Sequence, residues 1–410
     1  MAISTDIQQR VQKIMSEMND VIMDRKDVIH GFWVARIAQQ HLLMLGPGGT
    51  GKSFLVRAAT SHIEGAKLFE VALDETTDPG QVFGPPDIPA MVKDGKNRRV
   101  VTNMLPEATD AFVDEIFNGN SPVLHSLMPI MNERIFHNNG MPSDVPLRSL
   151  CAGTNKLNAD ADLAAFFDRL HLRYVVDYLD DREKQSNMIG SAIARMAVLG
   201  RGTGTSLAAN KTMVTLDELD QAHQEALSLS VPDSTMDLFL DIQAQLKGEG
   251  VHVSDRRLVE GMAAVLSNAW LRGHETVQAG DLDILANMWW TLQDQIPIAR
   301  KVVMETANPG EKAAMDLAKD MREIEATLNN AQSSSVDEDR LRRVGVEVIR
   351  NANKLIVEAE GHLNKAKAAG ADFSKLEELV NRAQDFKQRV GADVFGLTPE
   401  NSATLTQAAQ

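Results

Sequence analysis

The run Gly46-Pro47-Gly48-Gly49-Thr50-Gly51-Lys52-Ser53 constrains this chain more than any other feature. It fits the G-x-x-x-x-G-K-[ST] phosphate loop at every fixed position. The apolar His41-Leu42-Leu43-Met44-Leu45 before it reads as a buried strand, and Phe54-Leu55-Val56-Arg57-Ala58-Ala59 after it reads as a helix. Such a loop needs that order. Its glycines let backbone N–H groups turn around phosphate oxygens, and the helix N-terminus adds its positive dipole end. Lys52 is then placed for the β- and γ-phosphates and the Ser53 hydroxyl for Mg²⁺, with Gly46 through Phe54 forming the nucleotide-contacting stretch. A chance glycine-rich turn would not carry the correct context on both sides.

Five short apolar runs punctuate the first half, at 41–45, 67–73, 109–113, 148–153 and 172–176. Helical patterns separate most of them, the signature of a parallel α/β sheet. The interval 73–109 is too long for a plain crossover and contains the helix-breaking Phe83-Gly84-Pro85-Pro86. Two short runs flank Asp94-Gly95 within it, so a β-hairpin inserted into a helix is expected there. A second hairpin is expected around the turn Asn138-Asn139-Gly140, before the fourth strand.

From about residue 180 the chain reads as almost wholly helical. Helices are expected at 180–199, 217–230, 234–247, 256–273 and 280–293, with a glycine-, threonine- and serine-rich loop at 200–211 and Trp270, Trp289 and Trp290 as anchors. Beyond residue 300, Leu341, Val348 and Leu355 alternate with Gly345, Ala352, Ala359 and Ala366, large facing small, as in closely packed antiparallel helices. A further helix is expected from Ser374 to Val390, and disorder after Thr398. The expected domains are a nucleotide-binding α/β part at 1–178 that includes an amphipathic N-terminal helix, an all-α lid at 179–298, a helical hairpin or bundle at 299–397, and a tail at 398–410.

Composition fits a cytoplasmic enzyme. No apolar run approaches the ~18 residues of a membrane span, and the first 20 residues do not read as a signal peptide. Cys151, the single cysteine, reads as a reduced core thiol, and the ten histidines lack zinc-ligand spacing. The net charge of −15 argues against a global electrostatic grip on nucleic acid or anionic lipid.

Hydrolysis needs more than a phosphate loop. Ala111-Phe112-Val113-Asp114-Glu115 is an apolar strand ending in two carboxylates, which sets Asp114 at Mg²⁺ and leaves Glu115 to polarise the attacking water. A helix-capping acidic pair is the plainer alternative. Asn155 ends the fourth strand, where a polar tip can orient water or contact the γ-phosphate. Asn155-Lys156-Leu157-Asn158 is similar to the guanine-reading N-K-x-D motif, but Asn158 lacks the bidentate carboxylate, which favours ATP. Arg169, just before the fifth strand, would lie at the sheet edge and could reach a neighbouring subunit's nucleotide; a salt bridge with Asp168 is the alternative. In Val253-Ser254-Asp255-Arg256-Arg257, Ser254 reads as an N-cap, and either arginine could reach back to the γ-phosphate or remain on the surface.

Together these residues resemble an AAA+ ATPase of the MoxR family over roughly residues 20 to 295. The specific marks are Asp78-Pro79-Gly80-Gln81-Val82-Phe83-Gly84-Pro85, Leu105-Pro106-Glu107-Ala108, Val113-Asp114-Glu115-Ile116, Met131-Asn132-Glu133-Arg134-Ile135-Phe136 and Asp168-Arg169. Asn132-Glu133-Arg134 and Ser254-Asp255-Arg256-Arg257 look most like the RavA branch. The resemblance implies a five-stranded parallel P-loop sheet with an insert in helix 2 and a hairpin before sensor 1, followed by an all-α lid. It implies Asn155 as sensor 1, Arg169 as the arginine finger and Arg256 as the sensor 2 arginine. It also implies ATP and Mg²⁺ as cofactors, a hexameric ring, chaperone-like remodelling of a protein client, and a partner with a von Willebrand factor A domain. The β-rich module that the RavA branch carries has no counterpart in the helical pattern of residues 300–410.

A nucleic-acid motor is the competing enzyme class. Lys93, Lys96, Arg98 and Arg99 would suit a phosphate backbone, an acidic protein segment, or simply a solvated insert. A nucleotide-gated scaffold is the non-enzymatic alternative; the intact Glu115 argues against it.

Overall fold

The computed structural model describes residues 4–157, 166–199, 211–307, 309–333, 338–368 and 373–395. Asn158, most of the expected 200–211 loop and the tail after Thr398 lie outside them. The chain divides into two compact units, one built from Met1–Asp233, Leu246–Val277 and Ile284–Ala299, the other from Ser234–Gln245, Gln278–Asp283 and Arg300–Gln410.

The first unit is organised by a five-stranded sheet, all parallel, in the order β3 (Leu68–Ala72), β4 (Asp110–Asp114), β7 (Ser149–Thr154), β1 (Leu42–Leu45) and β8 (Leu172–Val175). β1 and β7 are buried at every position, which is why they read as continuous apolar runs without alternation. Register pairs Leu45 with Thr154 and with Val175, so the C-terminal ends of three strands open on one side. β1 runs into the phosphate loop there, and α3 (Lys52–Thr60) follows it. A parallel pair, β2 (Ile63–Glu64) with β9 (Val214–Thr215), was not legible in the sequence.

Of the two expected insertions, one is corrected. The segment after α4 (Pro79–Phe83) forms α5 (Ile88–Asp94), not a hairpin strand. Asp87 caps α5 by accepting from the Ala90 N–H, and Gly95 ends it at φ 64°. The chain then returns through an isolated antiparallel bridge between Pro86 and Arg99. The second insertion is the hairpin β5 (Ile135–Asn138) and β6 (Met141–Asp144). The two insertions pack together: Phe83 stacks on Phe136 at 5.7 Å, and the Asn138 side chain accepts from the Arg99 N–H at 2.7 Å and donates to the Arg99 carbonyl at 3.1 Å.

α1 (Thr5–Val21) and α2 (Lys26–Ala38) pack against the helices Leu216–Leu227 and Asp255–Arg272. α1 buries Ile7, Val11, Ile14 and Met18, one stripe at helical spacing. Trp270 is fully buried, and its indole N–H donates to Glu225 at 2.9 Å. The helix Asp255–Arg272 is tied to the sheet side through Gln40, whose amide donates to Glu260 Oε2 at 2.8 Å, and through a 2.6 Å bond between His30 and Asn268. The expected helix at 280–293 is instead a 3-10 stretch, Ala279–Asn287, followed by a short one at Gln293–Gln295.

In the second unit, helices Pro309–Ser333, Glu338–Ala368 and Ser374–Phe395 share one core. Leu317, Met321 and Leu328 meet Val348, Ala352, Leu355 and Ala359, and the third helix adds Leu376, Ala383, Phe386 and Val390. Of the residues expected to alternate, Val348, Ala352, Leu355 and Ala359 lie in this core, and a third helix completes it. Among the described residues no helix is long and apolar enough to cross a membrane.

Candidate nucleotide site

The phosphate loop takes its shape from backbone geometry. Gly49 and Gly51 hold φ of 79° and 86°, a region other residues rarely adopt, and nothing lies within 4 Å of where their Cβ atoms would stand. The loop face is thus open, and no side chain caps α3, so its first N–H groups point outward as an anion site. Lys52 is buried, with its ammonium donating to the Gly46 carbonyl at 2.7 Å and the Pro47 carbonyl at 3.0 Å. Thr50 Oγ1 donates to Pro47 at 3.0 Å, and the Gly46 N–H donates to Thr154 at 2.9 Å, which fastens the loop to β7. Ser53 and Phe54 follow in the first turn of α3 and are half-buried.

The acidic pair comes to the same end of the sheet. Asp114 closes β4, and Gly153 on the adjacent strand makes room for it. A Cβ on Gly153 would lie 2.2 Å from Asp114 Oδ1 and 3.3 Å from Lys52 Cε. A carboxylate and an ammonium therefore converge on one cradle, beside the Ser53-bearing helix start. This donor set fits a hard divalent cation together with polyphosphate: Ser53 and Asp114 would hold the metal, and Lys52 with the loop N–H groups the phosphates. Glu115 stands in the left-handed region at φ 50°, with Asn118 donating to its Oε2 at 3.3 Å. Asn155 follows β7 and is exposed at that same end.

Two arginines lie elsewhere. Arg169 precedes β8, so it stands at the N-terminal end of the sheet, with the length of the strand, about 10 Å for three residue steps, between it and the phosphate-loop end. Its Nε donates to Asn132 Oδ1 at 2.7 Å, and burial together with nearby Arg256 lowers its pKa. Asp168 raises the Arg169 pKa in turn and has further partners. Asp168 accepts from Ser254 Oγ at 3.2 Å and faces Arg257 Nε at 4.0 Å. The ambiguity between Arg256 and Arg257 resolves by burial. Arg257 is a buried clamp donating to the Met288 and Trp290 carbonyls and to Thr291, with burial pushing its pKa down to about 10. Arg256 is exposed, near enough to Arg169 to lower its pKa.

Three residues given no role from sequence join these groups: Asn118 at Glu115, Asn132 at Arg169, and Tyr178, whose hydroxyl donates to the Gly48 carbonyl at 2.9 Å. Asn118 is a local contact three residues from Glu115, whereas Asn132 and Tyr178 are brought in by the fold from 37 and 130 residues away. Basic residues of the first insertion are partly engaged: Arg98 pairs with Asp87 at 2.8 Å and Arg99 donates to Gly84 at 2.8 Å. Among the described residues no cluster of His, Cys, Asp and Glu forms a separate metal site.

The architecture is the α/β fold of the AAA+ class, with a phosphate-loop motif at the C-terminal end of β1. The family model described as the MoxR domain in the MoxR-vWA-beta-propeller ternary systems matches residues 9–211, and an AAA lid domain matches residues 234–303. The chain belongs to the MoxR family of AAA+ ATPases. It is similar to two uncharacterized proteins of Methanocaldococcus jannaschii, one 30% identical over 386 residues (93% of this chain, 98% of that protein) and one 28% identical over 401 residues (94% and 98%). A structural protein of Acidianus two-tailed virus is 27% identical over 230 residues, covering 54% of this chain and 36% of that protein. A crystal structure of a candidate ATPase from Cytophaga hutchinsonii shares the fold, with a TM-score of 0.59 at 14% identity over 74% of this chain and 96% of that one.

Proposed function

We propose that this protein hydrolyses ATP with Mg²⁺ as part of a ring, in the RavA-like manner of a hexamer, and uses the cycle to remodel a protein client. The observation that carries the reading is the convergence of Asp114 and Lys52 on the Gly153 cradle, beside the open phosphate loop. Mg²⁺, when bound, neutralises charge on the β- and γ-phosphates. Lys52 and the loop N–H groups orient the phosphates; Ser53 and Asp114 carry the metal. Glu115 orients the attacking water through a carboxylate oxygen and takes its proton there. Asn155 fixes that water or the γ-phosphate. Arg169, at the far end of its own sheet, is suited to the site of an adjacent subunit, with Arg256 beside it.

The family model's description mentions von Willebrand factor A domains, which supports such a protein as partner. Arg98 and Arg99 are engaged within the insertion, and with the net charge of −15 this favours a protein client over a nucleic-acid strand. The intact Glu115 favours turnover over a static scaffold.

Lys52→Ala is expected to lose nucleotide binding, and Glu115→Gln to bind ATP without hydrolysing it. Nucleotide titration and phosphate release read the two separately. Substantial turnover in Glu115→Gln would remove the assigned base. Affinity capture with that variant, which holds the ATP state, then identifies the client.

A further inference from the structure

Three consecutive carbonyls at the start of the phosphate loop are each held by a side-chain donor. The Gly46 carbonyl accepts from Lys52 Nζ at 2.7 Å, and the Pro47 carbonyl accepts from Lys52 Nζ at 3.0 Å and from Thr50 Oγ1 at 3.0 Å. Those donors belong to the loop itself. The third does not: the Tyr178 hydroxyl, 130 residues away, donates to the Gly48 carbonyl at 2.9 Å.

The segment that carries Tyr178 is fastened to the same strand end. The Val176 N–H donates to the Leu45 carbonyl at 2.7 Å, and a Cβ on Gly46 would lie 1.9 Å from the Val176 carbonyl oxygen. Arg25 donates to the Asp177 carbonyl. Beyond Tyr178, Asp181 accepts from the Lys184 N–H at 2.9 Å at the start of the helix Arg182–Leu199, and the Lys184 ammonium pairs with Asp24 at 2.7 Å. Tyr178 itself is 61% exposed, so its ring is not a member of the core.

A peptide unit is planar and trans, so its C=O and N–H point in opposite directions. Holding the Gly48 carbonyl toward Tyr178 turns the Gly49 N–H away from it. A Gly-Gly peptide has little conformational preference of its own, so an external bond decides its orientation. An anion that accepts from the Gly49 N–H polarises the same peptide and makes its carbonyl a better acceptor. The two bonds reinforce each other, and the coupling is reciprocal.

We propose that Tyr178 is a positioning residue for phosphate binding. Its hydroxyl sets the Gly48–Gly49 peptide for a phosphate oxygen, and a bound phosphate in turn tightens the segment leading into the helix Arg182–Leu199. This rests on the reading of residues 46–53 as a nucleotide site.

Tyr178→Phe keeps the ring and removes the donor. Displacement of a fluorescent ADP analogue by MgADP and by magnesium pyrophosphate should each weaken about 3- to 10-fold, the worth of one neutral hydrogen bond, with the Tm of the ligand-free protein unchanged. Tyr178→Leu should behave the same way on both ligands. Hydrogen exchange supplies a reading that a purely structural role would not move: MgADP should slow the Lys184 and Gln185 amides in the wild type and not in Tyr178→Phe. Wild-type affinity in Tyr178→Phe, a loss confined to MgADP, a lowered ligand-free Tm, or equal slowing in both proteins overturns the proposal. A loss of MgADP but not pyrophosphate in Tyr178→Leu alone would place the ring against the base instead. If the wild type binds neither ligand, the nucleotide-site reading fails and the proposal with it; if it binds both and Tyr178→Phe binds equally well, only the proposal fails.

Discussion

Asp114 Oδ1 stands 2.2 Å from the point a Cβ on Gly153 would occupy, so the side chain on one strand exists at the expense of any side chain on the next. Gly153→Ala is expected to push the carboxylate out of the cradle while the strand persists, because the displaced atom is the end of a side chain and not backbone. Turnover should fall about 10- to 100-fold, as with misplaced catalytic groups, with a much smaller change in Tm. A steady-state ATPase assay beside a thermal melt checks this. A fully folded variant with wild-type turnover would mean Asp114 is not held where the metal is needed.

Glu115 occupies φ 50°, ψ 42°, where a non-glycine residue costs about 1 kcal/mol or more. Glu115→Gly should therefore be about 1 kcal/mol more stable than Glu115→Ala, although both lack the carboxylate and both should fail to hydrolyse ATP. Denaturant unfolding of the two variants reads the difference. Equal stability would indicate that the backbone relaxes once the side chain is cut.

Two buried histidines set a pH dependence. His41 accepts the Leu150 N–H at Nδ1 and donates from Nε2 to the Met131 carbonyl at 2.9 Å, an arrangement only the neutral ring can make, and burial holds its pKa well below the usual value. Among the described residues neither His171 ring nitrogen has a hydrogen-bond partner, and burial followed by Arg173 and Arg257 pushes its pKa down to about 3. Below the unfolded value of 6.5 the unfolded chain binds a proton that the folded chain refuses. Stability is thus complete above pH 6.5 and declines as pH falls towards 3. His171→Leu should remove one share of that slope. Between pH 6.5 and 5 the wild type should lose about 1.7 kcal/mol more than the variant. Matched urea titrations at the two pH values test it, and parallel losses would mean His171 is not buried neutral.

The five sheet strands were legible because buried parallel strands have no polar face and stand out as apolar runs bounded by turns. The segment at 90–101 was not, for a physical reason: Asp94-Gly95 suits a hairpin turn and also a left-handed helix end, and Gly95 does the second. The phosphate loop and the Asp114–Glu115 pair could be read because their chemistry depends on neighbours in sequence. The distinction between Arg256 and Arg257 could not, since adjacent helical residues point about 100° apart and only the position of Trp290 decides which is buried. The same holds for Asn132, whose partner lies 37 residues away.

The helix Ile296–Ala307 buries Ala299, Val302, Val303 and Ala307, while the three helices beyond it close a core of their own. A chain ending at residue 307 should stay folded and show an ATP-dependent rise in Tm. One ending at 295 should expose an apolar face and aggregate. Scattering and melting of both decide it, and a well-behaved, nucleotide-responsive 1–295 chain would show that this helix is dispensable.

Cys151 lies in the middle of β7, fully enclosed, and burial raises its thiol far above the range in which thiolate forms. The chain's only sulfhydryl is therefore chemically silent under native conditions. Any cysteine introduced on the surface becomes the sole target for a maleimide dye or a bifunctional crosslinker, without first removing a native one. Oligomeric state and nucleotide-dependent motion, if the proposed ring and ATP cycle hold, can thereby be tested by single-site labelling in the otherwise unaltered protein.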